Sequence, residues 1–338
     1  MKKVIDAYPY DQKPASHRGN KAENVEKYLN EFFGRFSVVQ SSARVGIYQA
    51  LKFFKVSRQD TVLVPDFLCR AILTIINVAG FPVKTADENT KAVLVFHQWG
   101  YPQRMDEVMA EAKRRGLVVI EDCAHSFGSR YKGKLIGTFG DAAVFSFAKC
   151  FPTHNGGVLV SGNKQMIEFA RSQILATRGL RDTLFQLVAF KVLKWCFTKG
   201  RWPFWLDALY FTSILFPRTG FSALKFLPPD MNSFKQELEK RKSTYRFLVS
   251  RIKTEYLLAD QDPAIDVYPL YVPVFLAQDK LLQARDELLK VGVQAEILHF
   301  DLKRNVFSPQ YQKCLALPCH QQIQEEKVAA VCDIINKA

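Results

Sequence analysis

The sequence predicts an α/β protein in which a large domain with a mostly parallel sheet is followed by a small α+β C-terminal domain. Two observations carry this. Over the first two-thirds of the 338 residues, short apolar runs (TVLVP, AVLVF, LVVIE, AAVFSF, GVLVS) alternate with helical stretches such as MDEVMAEAKRRG. That is the rhythm of parallel strands joined by crossover helices. From about residue 227 the pattern changes. A basic helical segment, NSFKQELEKRKSTYRFLVSRI, leads into a βαβ-like unit of Tyr268–Phe275, Asp279–Val291 and Val293–Phe300. The chain is therefore read as a large α/β domain over 1–182, an aromatic and basic helical insert over 183–226, and a small α+β domain over 227–338.

Taken in order, the strand-like runs place chemistry at their carboxyl ends. Met105 to Gly116 has apolar residues at helical spacing, charges on the other face and a terminating glycine, so it reads as a crossover helix. Leu117 to Ile120 is a short apolar run with two valines, a buried strand that ends at Glu121-Asp122. Ala142 to Phe147 is a second, ending in Ser146-Phe147 with Lys149 just beyond. Ligands of open α/β sheets bind outside the carboxyl ends of the strands, so Asp122, His125, Ser146 and Lys149 are expected to converge on one crevice.

These residue types suit pyridoxal phosphate (PLP). The cofactor works as an electron sink when its ring nitrogen stays protonated beside a carboxylate, for which Asp122 is the candidate. A lysine must be neutral to attack the aldehyde, and burial near other cations favours that form; Lys149 is the candidate. The phosphate needs hydroxyl and backbone N–H donors at a turn or helix start, and Ser146 stands three residues before the lysine. His125, three residues after Asp122, is placed either to hydrogen-bond the ring hydroxyl or to stack on the ring.

The same residues carry a resemblance to the DegT-type sugar aminotransferases, a family of fold-type-I PLP enzymes. Ser41-Ser42-Ala43-Arg44 resembles the family's small-residue phosphate turn, and DTVLVPDFLC (60–69) its "DEVLVP" strand and following loop. His97-Gln98-Trp99-Gly100, then Pro102 and Met105-Asp106, resembles the "HLYG-P-MD" element. Glu121-Asp122 through Gly128, Gly140-Asp141 and Phe145-Ser146-Phe147 follow in the family's order, and GVQAEILHF (292–300) and Leu317-Pro318 with His320 resemble its C-terminal domain. The resemblance covers roughly residues 35–180 and 235–337. It implies a fold-type-I PLP transferase and a homodimer with active sites at the subunit interface. The expected activity is transfer of an amino group, with glutamate as donor, to a keto-sugar that is nucleotide-linked and destined for a polysaccharide or glycolipid. Asp122, His125 and Ser146 would take the ring-nitrogen, ring-hydroxyl and phosphate roles, and Ser42, Ala43 and Arg44 would join the phosphate site. His97 and Trp99 would lie near the ring or the sugar.

Four departures from the family stand out. Common members carry the lysine five residues after the serine, where this chain has Phe151; Lys149 stands at three, and the following loop is shortened to CFPTHNGG. Lys149 is kept as the Schiff-base residue. Arg44 replaces a threonine, and its guanidinium can serve the same phosphate. Asn155 replaces an acid before Gly156-Gly157. The family's G-x-N-x-R motif, which reaches the partner subunit's phosphate, has no counterpart, since the context of Asn232 does not match. Two other readings follow: a sugar dehydratase of the same fold with His154 in the lysine's role, and a non-catalytic homologue that binds sugar or a membrane partner.

Other chemistry is disfavoured. Ser146 lies in VFSFAK and not in the G-x-S-x-G elbow of a hydrolase, and Cys314, Cys319 and His320 lack the second pair of a metal site. No metal is expected. Seven irregularly spaced cysteines read as free thiols of a reducing compartment, and MKKVIDAYPYDQK has no apolar signal core. A cytoplasmic protein is expected. The formal charge of +14 suits an anionic partner, but no nucleic-acid motif accompanies it. The insert holds Trp195, Trp202 and Trp205 among Lys191, Lys194, Lys199, Arg201, Arg218 and Lys225, against one acid, Asp207. Such a segment suits an anionic membrane surface, as a peripheral contact at its inner face, packing on a dimer partner or the core, or a protein partner.

Overall fold

The computed structural model describes residues 5, 21–153, 155–174, 224–258, 265–320, 323 and 325–338. The insert read at 183–226 lies outside them except for 224–226, as does His154. Helix α1 (Ala22–Phe33) and strand β1 (Phe36–Gln40) lead into α2 (Ala43–Phe53), β2 (Thr61–Leu63), α3 (Arg70–Ala79), β3 (Phe81–Val83) and β4 (Thr90–Phe96). Then come a 3₁₀ turn (Gln98–Gly100), α4 (Met105–Arg115), β5 (Val118–Asp122) and the small hairpin β6 (Arg130–Tyr131) and β7 (Lys134–Leu135). The large domain closes with β8 (Ala142–Ser146), α5 (Phe147–Cys150), β9 (Gly157–Ser161) and α6 (Lys164–Ser172).

Seven of these strands form one sheet in the order β1-β9-β8-β5-β4-β2-β3. The neighbours from β8 through β5, β4 and β2 to β3 pair in parallel. The GVLVS strand, β9, departs from that rhythm and runs antiparallel to both β8 and β1. The physical reason lies in its connection: between β8 and β9 the chain has only the single turn α5 and a short loop, and a parallel return needs a crossover of a dozen or more residues. Apolar runs are continuous because both faces are covered. Val93 and Val95 of β4 join the core under α1 and α4, whereas Ala92 and Leu94 join the core under α2, α3 and α6. Helix α4 buries Met105, Val108 and Ala112, carries acids in its first turn and bases in its last, and ends at Gly116 with φ 67°, as its sequence predicts.

Strand β10 (Ile265–Asp266) pairs with β6, and the small domain contains β11 (Tyr271–Val274), α8 (Gln278–Lys290), β12 (Glu296–Asp301), β13 (Tyr311–Pro318) and α9 (Glu325–Lys337). The predicted βαβ unit is split. β13 sits between β11 and β12 and is antiparallel to both. Its polar start, Tyr-Gln-Lys, hides it in the sequence. The basic helix α7 (Met231–Val249) precedes this domain. Its N-terminal half packs with the large domain, Phe234 and Leu238 lying in that core, while Leu248 lies in the small-domain core. The span read from 227 onward therefore begins with a helix shared by both cores. Among the described residues no helix is long and apolar enough to cross a membrane.

Candidate active site at the carboxyl ends of the sheet

The last residue of β5, Asp122, pairs with Phe96 at the end of β4, and its side-chain Oδ1 accepts one hydrogen bond, from the Ala124 N–H at 3.0 Å. Burial pushes its carboxyl up to about 6, against that N–H and the electrostatic influence of the nearby His97 and Lys149. The turn that Ala124 begins delivers His125. Its Nδ1 accepts from the Trp99 N–H at 3.3 Å, so the neutral ring carries its proton on Nε2. Burial, followed by the charges of Lys149 and Arg241, pushes the imidazole well below its ordinary range. Phe96 meets the ring edge-on at 5.1 Å.

Below Asp122 lies a buried network that fixes these positions. Glu121 points to the opposite side of the strand. Its Oε1 accepts from the N–H groups of Phe139 (2.8 Å) and Gly140 (2.7 Å), and its Oε2 from Gly137 (2.9 Å). The same Oε2 lies 3.2 Å from Nε2 of His97, whose Nδ1 accepts from the Gln103 N–H at 3.1 Å. His97 therefore donates from Nε2 to Glu121. Burial opposes the charge of Glu121, but His97 and these N–H groups outweigh it and hold the carboxyl below its usual range.

His97 and Trp99, expected near the ring or the sugar, both have buried side chains. His97 is 0 % exposed and both ring nitrogens are committed. Trp99 is 4 % exposed, with its indole packed on Tyr271 at 5.5 Å and Phe300 at 5.3 Å. What Trp99 contributes is its backbone N–H, presented to His125 from a left-handed conformation (φ 55°). Its carbonyl is held by the Leu270 N–H at 2.8 Å, which ties the turn to the small domain.

A second cluster forms one strand away. Ser146 ends β8, precedes the single turn α5, and pairs with Gly157 of β9. A Cβ on Gly157 would lie 2.6 Å from the Ala43 nitrogen and 2.9 Å from the Ser42 carbonyl carbon. Only glycine lets the start of α2 close onto this strand end. At that start, Ser42 occupies the N-cap position without capping the helix. Its Oγ is buried with no hydrogen-bond partner among the described residues. Ser42, Ala43, Arg44 and Ser146 are thus brought to one place, where an orphaned hydroxyl and a helix N-terminus fit a phosphate. Asp122, with a single donor to its side chain among the described residues, fits a protonated ring nitrogen.

Lys149 is half-buried on α5 and close enough to Asp122 and His125 for its charge to act on both. The structure adds a residue that sequence reasoning passed over. Arg241 of α7 is 2 % exposed and donates from Nη2 to the carbonyls of Lys149 (3.1 Å) and Cys150 (3.3 Å). Its signal was present: Arg241 lies on the buried stripe Phe234, Leu238, Arg241, Leu248, a charge on an apolar helical face. His97, Glu121 and Cys123 also lie close enough together to suggest a metal, but the first two are an internal hydrogen-bonded pair. Burial and the neighbouring carboxylates push the Cys123 thiol well above its ordinary range, so it keeps its proton.

The fold is shared with solved sugar aminotransferases. Spr1654 of Streptococcus pneumoniae, solved in its PLP form, superposes with a TM-score of 0.70 at 17% identity, covering 97% of this chain and 93% of that one. Residues 82–189 match the family model of the DegT/DnrJ/EryC1/StrS aminotransferase family, which bears out the resemblance read in the sequence. The chain is 33% identical over 174 residues to GDP-perosamine synthase of Escherichia coli O157:H7, covering 45% of this chain and 48% of that relative, about half its length. Similarity to the spore coat polysaccharide biosynthesis protein SpsC of Bacillus subtilis (strain 168) is 25% identity over 365 residues, 95% of this chain and 91% of that one.

Proposed function

We propose that the protein is a PLP-dependent aminotransferase that moves an amino group, with glutamate as donor, onto a nucleotide-linked keto-sugar. The observation that carries this is the convergence of Asp122, His125 and Lys149 beside the Ser42–Arg44 and Ser146 cluster. When bound, PLP supplies the electron sink for carbon–hydrogen bond cleavage next to the transferred nitrogen. The chain's residues do the rest. Asp122 holds the ring-nitrogen proton, in a site whose burial leaves the carboxylate in need of that positive partner. His125 donates from Nε2 to the ring hydroxyl, its tautomer set by the Trp99 N–H. Ser42, Ala43, Arg44 and Ser146 hold the phosphate. Lys149 Nζ would hold the cofactor's aldehyde and, with the donor bound, would carry the proton between the carbons that exchange nitrogen.

The relatives named as a perosamine synthase and a spore-coat polysaccharide protein support a sugar acceptor on a polysaccharide pathway. The proximity of Lys149 to Asp122 and His125 supports amination over dehydration. A homodimer and a peripheral membrane contact through 183–226 belong to the same proposal. The test is the visible spectrum of the protein incubated with PLP, before and after glutamate. A band near the cofactor's lysine-bound form that bleaches with glutamate supports the reading; no band at all favours the non-catalytic homologue. In Lys149→Ala, covalent capture should vanish and turnover should fall by at least about a thousandfold, with the thermal melt of the cofactor-free protein unchanged. Normal turnover in that variant would sink the mechanism.

A further inference from the structure

We infer that Arg241 is the positioning residue that holds the backbone of Lys149 in register with Asp122 and His125. This rests on the reading of Lys149 as the covalent residue. α5 is a single turn of four residues, and one turn does not hold itself, because helix nucleation is unfavourable. Its last carbonyls have no partners within the turn. Arg241 supplies them from 92 residues further along, donating to the carbonyls of Lys149 and Cys150 and, from Nη1, to the Cys150 sulfur at 3.4 Å. A guanidinium is suited to this. Its Nη2 reaches both carbonyls while Nη1 reaches the Cys150 sulfur, and its positive charge sits at the negative end of the turn. A lysine at 241 would keep the charge and lose the second nitrogen.

The helix that carries Arg241 is itself fixed at both ends. Phe234 and Leu238 are buried in the large-domain core and Leu248 in the small-domain core. Arg241 lies between them, so the turn bearing Lys149 is referenced to the joint of the two domains and not merely to its own strand. The same charge helps keep His125 neutral, so one side chain serves both groups that face the ring. Burying a guanidinium is costly, and the orientation of a reacting amine is a return commensurate with it, since a misplacement of about 1 Å can cost a hundredfold in rate.

The test measures covalent capture. Full-length wild type, Arg241→Met and Arg241→Lys are mixed with PLP, quenched with borohydride over time, and digested to locate the fixed pyridoxyl group. Wild type should be labelled at Lys149; if it is not, the reading of the site fails, independently of Arg241. Given wild-type labelling, Arg241→Met should capture PLP about ten- to a hundredfold more slowly, with Arg241→Lys intermediate. PLP affinity is then compared in the Lys149→Ala background, where binding is non-covalent. There Arg241→Met should leave it unchanged within about threefold. Capture at the wild-type rate overturns the inference, and so does an equal loss of affinity without the lysine, which would mean a general structural role. Should Arg241→Met fail to fold, Arg241→Lys carries both comparisons.

Discussion

Asp122 shows how one side chain is held ready for a partner. Its carboxyl, raised from 3.8 to about 6 by burial, keeps a proton in the native state that the unfolded chain has already lost between those values. Native stability from this group therefore falls as pH rises from 3.8 through 6 and is fully lost above 6, by about 3 kcal/mol. Asp122→Asn should accordingly stabilise the cofactor-free protein more at pH 8 than at pH 4.5, while turnover drops at least about a hundredfold. Thermal melts at the two pH values and a rate assay check both halves. At the phosphate end, Gly157 decides. Gly157→Ala sets a methyl 2.6 Å from the Ala43 nitrogen and from the Phe145 carbonyl oxygen, so it should destabilise the fold by about 1–3 kcal/mol and weaken PLP binding, measured by fluorescence titration. Asp122, Ser146 and Lys149 were legible because they end apolar runs. His97 was legible in position but not in direction: the sequence locates it at the end of β4 without saying that its ring turns down onto Glu121.

At the scale of elements, the 3₁₀ turn Gln98–Gly100 connects the two domains to the site. The Gln98 side chain donates from Nε2 to the His299 carbonyl at 2.6 Å and accepts from the Asp301 N–H at 3.1 Å. These are alternate groups on one side of β12, so the amide stands in for a neighbouring strand. The next residue, Trp99, bonds His125. Gln98→Leu leaves both groups of β12 unsatisfied at a largely buried site and should cost about 2–4 kcal/mol. It should also reduce kcat through His125; a melt and a rate measurement on one preparation test the pairing. Elements defined by local pattern, such as α4 and β5, were readable from the sequence. β9 was read as a strand but not in its direction, which depends on the length of the connection before it. β13 and the double allegiance of α7 depend on contacts made across long separations in the chain.

For the molecule as a whole, two cores cover the faces of the large sheet and a third fills the small domain, with Trp99, Tyr271 and Phe300 packed at their junction. The layout of parallel strands, and hence the end of the sheet at which a site belongs, follows from composition and spacing alone. The residue that caps the Lys149 turn comes from a helix 92 positions away, and no spacing rule encodes that distance. If the proposed homodimer forms, the 38.7 kDa chain should sediment at about twice its mass at micromolar concentration, well inside the range of a stable interface. The Gln98 amide has one further consequence. β12 lies at the outside of the small sheet, and an uncovered outer strand invites extended segments of other molecules to add to it. By occupying the His299 carbonyl and the Asp301 N–H, Gln98 covers that stretch of the outer strand, where an extended segment of another molecule would otherwise pair.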